Sequence, residues 1–426
     1  MGVAVTLIDS LDSLWIMGLR DEFEDARSWI AANLTFPKEV NHVSFFELTI
    51  RVLGGLLSAY HLSKDNLFLQ KAKDLGSLLL VAFQPKSIFP SRDLNFANGT
   101  AHPLADYNDL SLSQMAVQLE FNQLSILTED VRFATLSGQI LKALHSMPSY
   151  DGLLPNSIQR NGGPNWNSRI GVGAHGDSYY EYLLKVWIQT GKSIAALRDD
   201  YRQAVNGIRT HLVQYSQPNK LMFIGELHGS TFRPSMDHLV CFLPATLILG
   251  YRNGMTKSHL LLAERLLETC FQLYNQTETG LSPEIVQFSM NQSSTKDFSV
   301  KDLDAHNLLR PETVESLFYA HQQTKQVKYR EWGEKIFNAF MNHSRLPYAG
   351  FTGIRDVSNV NSTRLDKMDS FWLSETLKYF FLLFDDTAAM KYSLDDWLFN
   401  TEAHLFPIDH RQENPLINVY HKLYAF

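Results

Sequence analysis

Seven helix-forming apolar runs in this chain carry a polar or acidic residue in their first turns, and six of those seven stretches contain carboxylates. They begin near Thr6, Phe46, Ser111, Asp177, Met236, Arg310 and Ser370. From Glu47 onward they recur roughly every 60–75 residues, the period of a repeated helical hairpin. One such hairpin cannot bury its apolar face by itself, so neighbouring hairpins must stack.

The helical periodicity splits into two kinds. Residues 53–60, 179–187 and 375–384 are apolar nearly all round, which predicts helices buried on most sides. Segments 21–33, 64–82, 129–145, 194–213, 256–274 and 328–343 keep a charged face and read as amphipathic outer helices. Short extended pieces rich in Gly and Pro follow many pairs, at 87–91, 151–156, 220–225, 280–286 and 349–354, and read as hairpin caps at one end of a ring. An inner ring wrapped by an outer one accounts for this order. No linker or low-complexity stretch divides the chain, so a single domain, 1–426, is expected. The count is seven inner helices to six outer, with the chain opening on an inner helix at 6–18. The expectation is therefore an all-α (α/α)7 barrel, lacking its first outer helix because the chain is shortened at the N-terminus.

Bulk properties narrow the function. Hydrophobic residues make up 45% and charged residues 19%, which suits a large folded core. A net charge of −7 with no basic cluster argues against nucleic acid. No apolar run reaches the length of a membrane span, and the N-terminus has no basic segment ahead of an apolar one. Six N-x-Ser/Thr sequons, at Asn33, Asn98, Asn275, Asn291, Asn342 and Asn361, are usable only in a secretory lumen, although chance supplies part of that count. The two cysteines, Cys241 and Cys270, are too few to frame a fold and either pair or stay as buried thiols. Carboxylates gathered at the centre of a ring suit hydrolysis of a sugar linkage, which needs two of them.

The motifs, in order, resemble the class I α-1,2-mannosidases of glycoside hydrolase family 47. The blocks that carry the resemblance run from Thr6 to Asp12, Phe46 to Tyr60, Asp177 to Lys185, Met236 to Phe242, Leu309 to Ser316 and Phe399 to His404, and it spans residues 4–408. It implies an (α/α)7 barrel that removes terminal α-1,2-linked mannose from high-mannose N-glycans in the endoplasmic reticulum or Golgi. It also implies a monomer, whose membrane anchor and stem would precede this chain in the full-length form.

The resemblance implies roles residue by residue. Glu47 is the acid and Glu312 the base, with Asp177 a rival or partner in acid delivery. For any one of them, the plain reading is a cap or dipole partner at a helix start. Arg51 lies one turn after Glu47, and Arg310 two residues before Glu312, so both are expected to orient those carboxylates. Thr401 is the expected Ca2+ ligand, giving a hydroxyl and a carbonyl oxygen to a hard cation. Glu315, Glu375 and Glu402 are expected to hold waters or sugar hydroxyls around it. Phe371 is expected to stack on the mannose ring, and Asp237 and His238 to contact substrate. Core packing is the alternative for Phe371, and a structural role the alternative for His238. Cys241, at the start of an inner helix, and Cys270, at the end of the next outer one, are expected to form the disulfide found in the matching motifs.

Two positions depart from the family pattern. Ser113 stands where a glutamate usually lines the cleft. His175 stands where endoplasmic reticulum members tend to have Arg and Golgi members Leu, so it bears on which glycan branch fits. The competing reading is a mannosidase-like factor that recognises glycans on misfolded glycoproteins and cleaves little.

Overall fold

The computed structural model describes residues 4–36, 42–83, 87–102, 109–159, 161–410 and 414–424. Helices dominate, and the strands are two to four residues long. The alternation of buried and amphipathic helices is present. In Asp177–Gln189 every residue from Ser178 onward is buried, including a Glu181–Lys185 ion pair one turn apart. In Lys328–His343 the buried residues are Tyr329, Gly333, Ile336, Ala339 and Phe340, a stripe at helical spacing with charge on the other face. No helix among the described residues is long and apolar enough to cross a membrane.

The chain forms two compact units. The first comprises Met1–Ser168, Ser178–Asn206 and Tyr392–Phe426. Its polar centre is built on Phe45–Glu47, Leu48–Leu53 and Gly54–Ser63, three consecutive helical segments of which the middle one is a π-helix. Ser44 caps the start by accepting from the Glu47 N–H at 3.3 Å. The π-helical turns place Arg51, and such bulges recur at functional sites. Gly54 and Gly55 follow because the next layer lies against the backbone. A β-carbon on Gly55 would sit 2.7 Å from the Ile8 carbonyl oxygen, and one on Gly54 would meet His404 and Asn400 at 2.8 and 2.9 Å. Gly55→Ala is expected to cost roughly 1–3 kcal/mol, because the obstacle is backbone and cannot rotate away. Chemical denaturation measures it, and an unshifted midpoint would show that the first helix is not seated there.

The second unit comprises Arg169–Asp177 and Gly207–Lys391. Helices Leu243–Arg252, Lys257–Asn275, Glu312–Thr324, Lys328–His343 and Leu377–Phe384 form its core. The disulfide joins Cys241 to Cys270 as expected. A three-stranded sheet, Ser235–Asp237 with Ile285–Phe288 and Phe298–Ser299, leads into the segment that carries His238.

Three local expectations change. The helix read at 6–18 is two pieces, Val5–Asp9 and Leu11–Ile16, divided at Ser10. The run at Ser111 does not open a helix: Asp109–Ser111 pairs as a strand with Ser157–Gln159, and the helix starts at Gln118. A last helix, Pro415–Tyr424, lies beyond the motifs. It buries Leu416 and Tyr420 and packs on Val131–His145.

Candidate active site

The first unit holds a buried polar network with one open end. Arg51 donates through Nε to Glu47 Oε2 at 2.7 Å, through Nη1 to Glu402, and lies 3.6 Å from Asp9 Oδ2. The Asp9 and Glu402 side chains are 0% and 3% exposed, whereas Glu47 is 37% exposed. Glu47 is thus the most exposed member of this cluster, ahead of Arg51 at 18%. Burial opposes charge on Arg51, but Glu402, Glu47 and Asp9 outweigh it and raise its pKa. Burial holds the Glu402 carboxyl well above the usual carboxylate range, with Arg51 pulling the other way.

Behind this layer, His404 bridges two aspartates. Its Nε2 lies 2.9 Å from Asp9 Oδ1 and its Nδ1 2.9 Å from Asp12 Oδ2. Carboxylates only accept, so both ring nitrogens donate and the ring is an imidazolium. Burial opposes that charge, yet the two aspartates raise the pKa to about 9. Asn400 Oδ1 accepts from the N–H groups of Glu402 and His404, and its Nδ2 donates to Glu120 Oε1 at 2.6 Å. Tyr182 also donates to Glu120, at 2.7 Å. Burial pushes Glu120 up to about 7 against those two donors.

Thr401 lies in the turn that Asn400 fixes, half-buried, with Oγ1 3.2 Å from Ser178 Oγ. Among the described residues no group of three or more His, Cys, Asp or Glu is arranged to hold a metal. A cation here would draw on neutral oxygens of Thr401 and on solvent, with Glu402 one residue away. That donor set fits a hard, oxygen-seeking ion and not a thiolate- or imidazole-seeking one.

The second unit carries the other group of residues. Glu312 opens its helix, and its Oε2 accepts from His238 Nδ1 at 2.7 Å. Burial opposes the charge on Arg310, but Glu284 and then Glu312 outweigh it and raise its pKa, so Arg310 is coupled to Glu312 by charge while its hydrogen bonds go elsewhere. It forms a two-bond fork with Glu284, at 2.9 and 2.8 Å, because the strand that begins at Ile285 brings Glu284 alongside. Its guanidinium carbon also lies 5.8 Å from the Phe371 ring centre, and Phe371 is 8% exposed. Asp237 caps the turn that follows it. It accepts from Ala174 N–H at 2.9 Å and Val240 N–H at 3.3 Å, and burial raises its pKa against those bonds. Asp177 opens Asp177–Gln189 and is half-buried. His175 is exposed on a left-handed backbone, φ 72°. Glu315 and Glu375 are each 7% exposed, and Glu375 sits on a second π-helical segment, Trp372–Thr376. In the first unit Ser113 is 7% exposed and hydrogen-bonded to Ser111 at 3.0 Å.

Sequence reasoning missed Glu284, Asp9, Asp12, His404, Asn400, Glu120, Tyr182 and Tyr274. Several stood inside quoted motifs, but their partners are remote in sequence.

The glycosyl hydrolase family 47 model matches residues 1–408. The chain belongs to that family. It is 49% identical to the human endoplasmic reticulum mannosyl-oligosaccharide 1,2-alpha-mannosidase, over 96% of this chain and 59% of that protein. It is 42% identical to the Candida albicans mannosyl-oligosaccharide 1,2-alpha-mannosidase, over 94% of this chain and 75% of the other. The chain therefore spans about three-fifths of the human relative's length. Among solved structures, the alpha-1,2-mannosidase from Trichoderma reesei is similar at TM-score 0.87 and 27% identity, covering 96% of this chain and 91% of that one. This family 47 chain thus has the expected fold class, an (α/α)7 barrel.

Proposed function

We propose that this family 47 chain is a calcium-dependent, inverting exo-α-1,2-mannosidase that trims terminal mannose from high-mannose N-glycans in the lumen of the endoplasmic reticulum or Golgi, as a monomer. Its similarity to mannosidases over nearly its whole length supports the substrate class. The observation that carries the reading is that Glu47 is the most open member of a charge network whose other carboxylates, Asp9 and Glu402, are buried. Keeping a carboxylate open to solvent while its guanidinium partner is tied to buried carboxylates serves a reaction better than it serves stability.

In this reading Glu47 gives a proton to the departing glycosidic oxygen, and Glu312 takes one from the attacking water. Asp177 shares or relays the acid step. Arg51 fixes the Glu47 carboxylate. Thr401 would hold Ca2+ through its hydroxyl and carbonyl oxygens, with Glu315, Glu375 and Glu402 holding its waters. Bound there, the ion would supply orientation and polarisation of sugar hydroxyls. Arg310, Asp237, His238, His175 and Phe371 form the substrate-facing set. Arg310, locked to Glu284, offers a fixed cation beside the Phe371 ring.

The test is digestion of Man9GlcNAc2 by the purified chain, with calcium and with a chelator. Loss of terminal mannose, release of the β-anomer first, and silence in the chelator are expected. The product isomer reports what His175 selects. A folded protein that binds the glycan and releases no mannose would overturn the reading in favour of glycan recognition.

A further inference from the structure

His238 sits at the head of the short helix His238–Phe242 and is 2% exposed. Its two ring nitrogens face different partners. Nδ1 is 2.7 Å from Glu312 Oε2, and Nε2 is 2.8 Å from the Tyr274 hydroxyl. Tyr274 is 1% exposed, in the last turn of Lys257–Asn275, with its ring edge-on to the imidazole. The Thr313 hydroxyl is 3.1 Å from Nε2 and is also hydrogen-bonded to the Tyr274 oxygen.

Donor and acceptor rules order these bonds. A carboxylate accepts, so Nδ1 carries the proton that Glu312 receives. In the neutral ring Nε2 must then accept, and Tyr274 donates to it. Thr313 donates to the Tyr274 oxygen. Burial holds the Tyr274 phenol far above its ordinary range, so it stays a donor at any working pH. The chain Thr313, Tyr274, His238, Glu312 therefore runs in one direction. Glu312 Oε1 makes no hydrogen bond to a described residue, which leaves it as the oxygen for water.

The scaffold locks both ends of this chain. Cys241 lies three residues after His238, Cys270 lies four before Tyr274, and the two are bonded. Ser316, one turn beyond Glu312, donates to the Cys241 carbonyl and accepts from Ala245 N–H. A phenylalanine at 274 would fill the same space. The hydroxyl is thus dispensable for packing, while a buried hydroxyl carries a cost when its bonds are not made.

We propose that Tyr274 is a positioning residue, which through His238 fixes the ring proton on Nδ1 and so aims Glu312 at the attacking water. The inference rests on Glu312 acting as the base. Other charged groups near His238 are Arg310 and Glu284, which form their own pair, and Asp237, which is held by backbone N–H groups.

The experiment compares Tyr274→Phe and Thr313→Val with the parent chain, disulfide intact. It reads kcat and KM on Man9GlcNAc2, the pH profile, and the 15N shifts of the His238 ring assigned with His238→Asn. Tyr274→Phe, made also in the Thr313→Val background so that the Thr313 hydroxyl 3.1 Å from Nε2 cannot replace the lost donor, is expected to lower kcat on the order of tenfold. KM should stay within about twofold, the acid limb of the profile should move, and the ring should redistribute its proton towards Nε2. Thr313→Val alone should lower kcat by less than Tyr274→Phe does, since it leaves the Tyr274 donor in place. An active parent whose doubly substituted form, Tyr274→Phe with Thr313→Val, keeps its tautomer and its kcat overturns the proposal and leaves Tyr274 a packing residue. An inactive but folded parent overturns the base role of Glu312 itself, whatever the ring spectrum shows.

Discussion

Replacing His404 with Ala should destabilise the protein by about 3–5 kcal/mol, the cost of removing one partner from a buried ion pair. His404, Asp9 and Asp12 are all 0% exposed. Without the imidazolium, Asp12 keeps the Ser58 hydroxyl at 2.8 Å, and Asp9 keeps Arg51 at 3.6 Å. Neither replaces a charged donor at 2.9 Å. The effect carries a pH signature. The folded-state pKa of His404 is raised to about 9 from an ordinary histidine value of 6.5. Its stabilisation is therefore complete below about pH 6.5 and is lost as pH rises through about 9, a change of roughly 3 kcal/mol. The other charged groups around the ring, Arg51, Glu402 and Glu120, do not reverse that sign. Urea midpoints of parent and His404→Ala taken from pH 6 to pH 10 should converge towards the alkaline end. Curves that stay parallel would mean that the ring is neutral in the fold.

What could be read from the sequence divides by range. Glu47 and Arg51 are one helical turn apart, and their bond is present as expected. Helix type and burial followed from periodicity, because a stripe every three to four residues is a local property. Cys241 lies in His238–Phe242 and Cys270 in Lys257–Asn275, and the disulfide that the resemblance implied joins them. Arg310 shows where local reading is incomplete. It stands two residues from Glu312 in sequence, yet it forks onto Glu284, delivered by a strand 26 residues upstream. The bridge from His404 to Asp9 joins positions 395 residues apart, so no window of sequence contains it. The strand Asp109–Ser111 escaped for a related reason, since its pairing with Ser157–Gln159 is remote, whereas the break at Ser10 is local, its hydroxyl donating to the Leu7 carbonyl at 3.0 Å.

Glu47→Gln and Glu312→Gln should each lower kcat on Man9GlcNAc2 by about 10²- to 10⁴-fold, the usual contribution of a positioned acid or base. Both changes keep the side-chain volume. In Glu47→Gln the amide oxygen can still accept from Arg51, and in Glu312→Gln it can still accept from His238, so neither fold should suffer. The two roles separate when the leaving group changes. Fluoride departs without much help from a proton, so α-mannosyl fluoride relieves the need for an acid but not for a base. Glu47→Gln should therefore turn over the fluoride far better than the glycan, relative to the parent, whereas Glu312→Gln should be slow on both. Asp177→Asn measures its share of acid delivery on the same scale, since an acid partner recovers with fluoride and a purely binding residue does not. If Glu312→Gln recovered and Glu47→Gln did not, the assignments would be reversed. If both kept more than about a tenth of the parent rate on the glycan, neither carboxylate would be carrying a proton in the rate-limiting step.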